Sequence, residues 1–375
     1  MTEITYGIIE GPKRRSGLRW YLRSFFRLLK WSLIAAVVIE IASFLIVTGS
    51  NYILYGNPRE GRGVRYDPYT LFLNREGQRA TPHPFAPGRD TKTKRYWLFG
   101  GSTMRGATDD DAKTIAAFLA GMINREGGIV YHQVHNFGEN SFNSLLEVKY
   151  LQKQLIDQPS RPDVILFYDG ANECVYLAQH RTPFGHYGYR KITSLVNSYD
   201  RSFFGLLKPL NAAIHASFTR ELHDKIMQTM SPVREDRPLL ESFVKESEKR
   251  YDHVHALAHS MGSRFFVVLQ PNWWVETLDV SQEVKNREEA IAKKAKMFKA
   301  AKENFNTVYD ALSSGLRDKP YFVDFRNILT SRSEPAYQMD GVHLTDKGRE
   351  MVAAGFERLF RDKGLLDDDR KADAE

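Results

Sequence analysis

Residues 95–103 read RYWLFGGST, an apolar run that stops at two glycines followed by a serine and a threonine. Short runs that are apolar almost throughout and bounded by turn residues are typical of strands covered on both faces. The first strand is therefore predicted at residues 96–100. Four similar runs follow along the chain, at residues 134–137, 163–168, 264–270 and 321–325.

Helical periodicity separates these strands. Apolar residues recur at i, i+3, i+4, i+7 and i+8 from Ile115 to Ile123, which predicts a helix with one buried face. A second buried face is predicted for Leu145, Val148, Leu151 and Leu155, a third stripe covers residues 244–261, and Thr345 is a predicted N-cap for the last helix. Strands that alternate with helices form a parallel sheet covered on both faces, so the sequence predicts an α/β fold.

The composition is that of a globular protein with an uneven charge. The chain has 375 residues, of which 42% are hydrophobic, and 53 basic residues exceed 46 acidic ones to give a net charge of +7. The first thirty residues are strongly basic and adjoin an apolar run, whereas a nucleic-acid surface would spread its basic residues over a folded face. We therefore expect no nucleic-acid partner. Cys174 is the only cysteine, which excludes an internal disulfide.

The apolar run at residues 31–48, WSLIAAVVIEIASFLIVT, has about the minimum length of a transmembrane helix. Because the basic residues precede it, the positive-inside rule predicts a cytoplasmic N-terminus and an extracytoplasmic remainder, as in a single-pass protein of a bacterial inner membrane. Glu40 is the one charge in the run. A carboxylate facing lipid is costly, so Glu40 is expected to be protonated or to face a membrane partner.

The chain divides into predicted segments by composition. They are a basic cytoplasmic tail at 1–30, the anchor at 31–48, a linker and lead-in at 49–94 that is rich in Gly, Pro and Arg, a catalytic domain at 95–366, and an acidic tail at 367–375. Residues 178–240 interrupt the strand-helix alternation and form a predicted helical insertion that includes Phe203 and Phe204. The insertion either caps the site and faces the membrane, or packs against the sheet.

Four short motifs follow predicted strands or precede a helix. They are FGGST at 99–103, NFGENS at 136–141, DGANE at 169–173 and DGVH at 340–343. In an open parallel sheet, reactive groups gather in the loops beyond the carboxyl ends of the strands. The Asp340 carboxylate at i−3 can take the Nδ1 proton of His343, which leaves Nε2 free as a base. Ser102 is the hydroxyl that such a base would activate.

These four blocks, in this order, resemble those of the SGNH (GDSL-type) serine hydrolases over about residues 95–362. The resemblance implies a flavodoxin-like three-layer α/β/α sandwich with a parallel sheet, preceded here by one transmembrane helix. It also implies Ser102 as nucleophile with Asp340 and His343, an oxyanion hole formed by the Ser102 N–H, Gly138 and Asn172, and no cofactor. Gly101 stands where the family's eponymous block has Asp, and Glu173 stands where Asp is common.

The implied function is ester hydrolysis on an acylated glycan or lipid of the cell envelope, such as deacetylation. Two alternatives are an O-acyltransferase for exopolysaccharide or peptidoglycan and a non-catalytic assembly protein on the same fold. Trp273 and Trp274 are candidates for the substrate cleft or for core and rim packing. His132 and His135, three residues apart in a predicted strand, would point to opposite faces, so no metal site is predicted there.

Overall fold

The computed structural model describes residues 17–55, 63–88, 91–124, 128–201, 207–230, 232–277 and 280–366. Seven strands are assigned within them: β1 Val64–Asp67, β2 Leu71–Asn74, β3 Lys92–Gly100, β4 Val130–Gly138, β5 Val164–Asp169, β6 Arg264–Leu269 and β7 Phe322–Asp324. The first seven helices are α1 Gly17–Tyr55, α2 Ser102–Arg105, α3 Ile115–Ile123, α4 Ser144–Asp157, α5 Ala171–His180, α6 Tyr189–Arg201 and α7 Leu207–His215. The other six are α8 Phe218–Met230, α9 Arg237–Ser260, α10 Gln282–Arg287, α11 Glu289–Met297, α12 Lys299–Leu316 and α13 Asp346–Asp362.

The central sheet contains the five strands expected from the sequence. All neighbours are parallel, in the order β4-β3-β5-β6-β7. Numbered among themselves along the chain, these strands lie in the order 2-1-3-4-5, which is the flavodoxin-like arrangement. The order reverses beside β3, so the loops that follow β3, β4 and β5 meet at one crevice at the carboxyl edge.

Alternation of side chains along the buried strands produces the two outer layers. Trp97 and Phe99 of β3 point into one core with α4, α5, α9 and α12, whereas Tyr96 and Leu98 point into a second core with α3 and α13. Successive residues of a strand face opposite sides, so a strand that is apolar throughout must be covered twice. The fold is therefore a three-layer α/β/α sandwich, as predicted.

Two local expectations differ from the structure. The lead-in predicted as a loop contains the antiparallel hairpin β1-β2, whose four-residue strands are too short to show a periodic apolar pattern. In α4 the fully buried apolar residues are Leu146, Tyr150 and Leu151, while Val148 and Leu155 are only partly buried. The stripe is shifted because Tyr150, polar at its tip, packs its ring between Phe137 and Phe142.

The described part of the insertion is mostly helical. It comprises the end of α5, all of α6, α7 and α8, and the start of α9, and α8 packs against α1, α5 and α12. Phe203 and Phe204 lie outside the described residues. Among the described residues, α1 is the one helix long and apolar enough to cross a membrane. It has 39 residues and extends beyond the apolar run at both ends.

Candidate active site

Ser102 is presented at the carboxyl end of β3 as the first residue of α2. Gly100 and Gly101 permit this turn because neighbouring groups approach their Cα atoms closely. A Cβ atom on Gly101 would lie 2.4 Å from Asn172 Nδ2, and one on Gly100 would lie 2.7 Å from Met104 Cβ. The N–H of Ser102 donates to no described residue, as expected for the open N-terminus of a helix.

The structure brings Ser102, His343 and Asp340 into one hydrogen-bonded chain. His343 Nε2 lies 2.8 Å from Ser102 Oγ, and His343 Nδ1 lies 2.5 Å from Asp340 Oδ2. The second carboxylate oxygen, Asp340 Oδ1, accepts the N–H groups of Val342 and His343, each at 2.9 Å. This is the connectivity of a nucleophile, a base and an acid that orients the base.

Asp340 is held in its ionised form. Burial favours the neutral carboxyl, but the hydrogen bond and charge of His343, together with the N–H groups of Val342 and His343, place the pKa of Asp340 below its ordinary value. An ionised Asp340 fixes the proton of His343 on Nδ1. The Nε2 atom that faces Ser102 is therefore an acceptor when the imidazole is neutral.

Trp273 and Trp274 hydrogen-bond to the loop that carries Asp340 and His343. Trp274 is buried, its Nε1 donates to the Asp340 carbonyl at 2.8 Å, and the backbone N–H of Trp273 donates to Gly341 O at 2.9 Å. Gly341 has φ +78°, and a Cβ atom there would lie 2.6 Å from Trp274 Nε1. Of the two roles expected from the sequence, packing describes Trp274, which positions Asp340 instead of lining a cleft.

A buried ion network that sequence reasoning missed lies beneath the same loop. The Arg332 guanidinium pairs with Glu276 at 2.8 Å and with Glu288 at 2.8 Å. Tyr337 donates to Glu276 at 2.6 Å, and Trp273 Nε1 donates to Glu288 at 3.1 Å. Glu276, Glu288 and Arg332 are far apart in sequence and carry no local pattern, so only the folded chain reveals that they act together.

The predicted oxyanion donors are only partly brought together. Asn172 lines the cavity beside Ser102 with Phe142, Gln270 and Val342. One hydrogen of its side-chain amide is donated to the Phe142 carbonyl at 2.5 Å. An amide nitrogen carries two hydrogens, so the second is available to a bound oxyanion.

Gly138 is engaged elsewhere, contrary to the expectation from the sequence. Its N–H donates to Asn136 Oδ1 at 2.9 Å, and Asn136 Nδ2 donates to Met104 O at 3.0 Å. A Cβ atom on Gly138 would lie 2.2 Å from the Arg105 backbone nitrogen. The glycine therefore permits α2 to pack closely against β4, and its N–H is not free for an oxyanion in this conformation.

Ser141 has the free N–H that Gly138 lacks. Its φ is +64°, a left-handed conformation that is uncommon for residues with a side chain and that often marks functional turns. The Ser141 carbonyl accepts from Tyr176 at 3.0 Å, while its N–H donates to no described residue. Serine gives no sequence signal for this conformation, whereas glycine does, which is why the prediction chose Gly138.

Three buried carboxyl groups meet at the DGANE segment: Asp169 and Glu173 are its first and last residues, and Glu147 lies on α4. Glu173 accepts the N–H groups of Ser144 at 2.7 Å and Gly170 at 2.9 Å, so it joins α4 to the loop that carries Asn172. Burial, then the charges of Asp169 and Glu173, raise the pKa of Glu147 well above its ordinary value. Burial and the charge of Glu173 raise the pKa of Asp169 in the same way.

Replacing Glu147 by glutamine is expected to stabilise the protein increasingly as the pH rises. A raised folded-state pKa means that the folded chain holds a proton that the unfolded chain has released, so wild-type stability falls above the unfolded pKa of about 4.3. Glutamine carries no such proton, so this loss of stability is absent from the variant. Thermal denaturation from pH 4 to pH 8 should show the variant's advantage growing.

Glu246→Gln is the matched control for Glu147→Gln. Glu246 is partly exposed and accepts a hydrogen bond from Lys249, which lowers its pKa. A depressed pKa gives stability above the unfolded pKa that is lost as the pH falls, so the control has no advantage at high pH. Equal pH profiles for Glu147→Gln and the wild type would contradict a proton held at Glu147.

The two histidines of β4 point to opposite faces, as the strand spacing predicts. His132 is buried and its Nδ1 lies 3.0 Å from the Tyr96 hydroxyl, in the core with α3 and α13. His135 stacks on Phe137 with ring centroids 5.8 Å apart, on the other face.

No protein-family model matches the sequence, and no curated protein matches it. Similar solved structures include an acetyl xylan esterase, 14% identical, with a TM-score of 0.38, over 71% of this chain and 98% of that one. A member of the lipolytic protein G-D-S-L family from Veillonella parvula is 13% identical with a TM-score of 0.37 over 72% and 98%. The lipase/acylhydrolase from Enterococcus faecalis is 15% identical with a TM-score of 0.36 over 72% and 96%. Function is therefore inferred from the geometry of the site.

Proposed function

We propose that this chain is a membrane-anchored serine esterase of the SGNH type that removes acyl groups from an envelope polysaccharide or lipid. The observation that supports it is the continuous hydrogen-bonded chain from Ser102 Oγ through His343 to an ionised Asp340. The three groups come from two loops at one edge of the sheet. A hydrolase fold that had lost its activity would not need to keep these three hydrogen-bonded groups intact.

Acyl transfer follows from the arrangement in two half-reactions. Ser102 Oγ attacks the ester carbonyl as His343 Nε2 takes its proton, and the carbonyl π electrons move to the oxygen. When the tetrahedral intermediate collapses, the C–O bond to the alcohol breaks and His343 returns the proton to that alcohol. Water then attacks the acyl-Ser102 ester with the same proton transfers and releases the carboxylic acid.

The oxyanion is stabilised by donors that are fixed before the reaction starts. We assign this role to the Ser102 N–H, the second hydrogen of the Asn172 amide, and the N–H of Ser141 in place of Gly138. The first lies at the N-terminus of α2, and the second lies on the first turn of α5. Preorganised donors of this kind make the largest contribution to catalysis in many acyl-transfer enzymes.

Labelling followed by a substrate panel tests the proposal. The full-length protein in detergent should react with a fluorophosphonate probe and release acid from acetylated glycans or lipid esters. An added sugar acceptor distinguishes the alternatives, because a transferase would move the acyl group to the acceptor instead of to water. Failure of both labelling and ester cleavage would leave only the non-catalytic assembly role.

Replacing Asn172 by alanine is expected to lower kcat by roughly 10² to 10³, because one oxyanion donor is lost while the triad remains. Steady-state kinetics on a small acetyl ester measure the loss. Gln158→Ala is a control, since Gln158 hydrogen-bonds to Gln154 at the end of α4 and does not line the cavity beside Ser102. An unchanged rate for Asn172→Ala would mean that the Asn172 amide only hydrogen-bonds to Phe142 and does not stabilise the oxyanion.

The catalytic domain is expected on the extracytoplasmic side of the membrane, because the basic residues precede the apolar run. A reporter that is active only outside the cytoplasm, fused after residue 375, should therefore be active. A second reporter that is active only in the cytoplasm should be inactive at the same position. The reverse result would invert the orientation of α1.

A further inference from the structure

The membrane helix and the insertion are joined by a set of side-chain contacts. Glu40 accepts the backbone N–H of Phe218 at 2.6 Å, and the N–H and hydroxyl of Thr219 at 3.0 and 2.7 Å. The rings of Phe44 and Phe218 meet edge to face at 4.9 Å. Asn51 accepts from Lys225. All the α8 residues involved lie on its first two turns.

The α1 side of this interface is a regular helical stripe. Glu40, Ser43, Phe44, Val47 and Asn51 are three or four residues apart and therefore share one face. Ser43, Val47 and Asn51 are 3%, 1% and 2% exposed, although nearly all other residues of α1 are exposed. Phe44 remains 41% exposed, so the insertion covers the part of the stripe formed by Ser43, Val47 and Asn51, and the remaining faces of α1 are left for lipid.

The position of Glu40 places this contact inside the membrane. Lys30 is the last basic residue before the apolar run, and Glu40 is ten residues further along one continuous helix. Ten helical residues rise about 15 Å, which is half of a hydrocarbon core of about 30 Å. If Lys30 lies at the cytoplasmic boundary, the first turn of α8 meets α1 near the middle of the bilayer.

Glu40 and the start of α8 each satisfy a polar need of the other at that depth. A carboxylate facing hydrocarbon costs a few kcal/mol, and unpartnered helix N–H groups are costly in the same way. Glu40 takes the first two N–H groups of α8, and Ser217 Oγ takes the third, from Arg220, at 3.2 Å. The negative carboxylate also lies at the positive end of the α8 helix dipole, which is a favourable electrostatic interaction.

The segment that leads into α8 has the composition of a membrane-inserted tip. Residues 209–218, PLNAAIHASF, contain no Asp, Glu, Lys or Arg, and comprise most of α7, the two residues after it and the first residue of α8. Leu210 and Ile214 are 59% and 58% exposed. We call this segment the α7–α8 tip. Its last residue, Phe218, contacts Glu40 and Phe44 of α1, so the tip ends at the depth of Glu40.

We propose that the α7–α8 tip is inserted in the outer leaflet of the bilayer beside α1, with Glu40 as the intramembrane contact that holds it. The acyl chains of the lipids contact the exposed apolar face of the tip. One consequence rests on the proposed function. Because α8 also packs on α5, which carries Asn172, the active site would lie two helix spacings from α1, about 20 Å, and would take acyl esters close to the membrane surface.

Fluorescence quenching by spin-labelled lipids tests the insertion without any need for activity. The purified full-length chain, with Cys174 replaced by alanine, is reconstituted in phosphatidylethanolamine and phosphatidylglycerol liposomes. Single cysteines Ile214→Cys and Ile156→Cys carry an environment-sensitive fluorophore. Ile156 is the control, because it is 68% exposed on α4 and apolar, but belongs to no membrane surface.

Lipids spin-labelled in their acyl chains are expected to quench the fluorophore at position 214 by about threefold or more and to leave that at 156 almost unchanged. Equal quenching at both positions, or none at 214, would overturn the inserted tip. Glu40→Leu should abolish the quenching at 214, whereas Glu40→Gln, which keeps one acceptor oxygen, should retain part of it. Full quenching in Glu40→Leu would overturn the role given to Glu40.

Discussion

Replacing Ser102 by alanine is expected to abolish ester hydrolysis, with a loss of kcat on the order of 10³ to 10⁶. The substitution removes only the hydroxyl group, whose oxygen lies 2.8 Å from His343 Nε2. Members of a nucleophile-base-acid set act as a unit, so loss of the nucleophile also removes the benefit of the other two. The variant should also fail to react with the fluorophosphonate probe.

The fold of Ser102→Ala should be unchanged, which separates a chemical effect from a structural one. Alanine fits at the start of α2, and the Ser102 N–H is retained. The melting temperature should stay within about 2 °C of the wild type, as for a change that leaves no buried group unpaired. Ser260→Ala, at the exposed end of α9, is a control of the same chemistry. Normal hydrolysis by Ser102→Ala would refute the nucleophile.

The sheet could be predicted from the sequence because a strand buried on both faces consists almost entirely of apolar residues. A strand such as β5, which is buried at every position, reads as an unbroken apolar run, and its position in chain order then limits the topology. The hydrogen-bonded arrangement of Ser102, His343 and Asp340 was predictable for a related reason. Asp340 and His343 are three residues apart, so a single short motif contains two of the three residues. Ser102 is recognisable from the two glycines before it.

Features that depend on contacts distant in sequence could not be predicted. Trp274 and Asp340 are 66 residues apart, and Glu40 and Phe218 are 178 apart. A partner for Glu40 was one of two alternatives predicted, the other being protonation, but nothing in the run at 31–48 identifies α8 as a neighbour. Ser141 was missed because backbone conformation, not residue type, distinguishes it. A loop's free N–H groups are known only once its other hydrogen bonds are counted.

Asp340→Asn is expected to lower kcat by about 10⁴ while leaving the site's shape intact, because it reverses the tautomer of His343. Asp340 Oδ1 accepts two backbone N–H groups at 2.9 Å, so asparagine must keep its carbonyl oxygen there. Its NH₂ group then occupies the position of Oδ2 and donates to His343 Nδ1. The imidazole proton moves to Nε2, which points at Ser102 as a donor and can no longer accept the hydroxyl proton.

Two measurements distinguish this tautomer effect from a structural defect. Because the Asp340 pKa is depressed, the wild type gains stability from the carboxylate above its unfolded pKa and loses it as the pH falls. The melting temperatures of wild type and Asp340→Asn should therefore converge in acid, although hydrolysis stays impaired at every pH. Asp310→Asn, which breaks an exposed pair with Arg326, is the control. A rate for Asp340→Asn within about tenfold of wild type would mean that Asp340 does not orient His343 for catalysis.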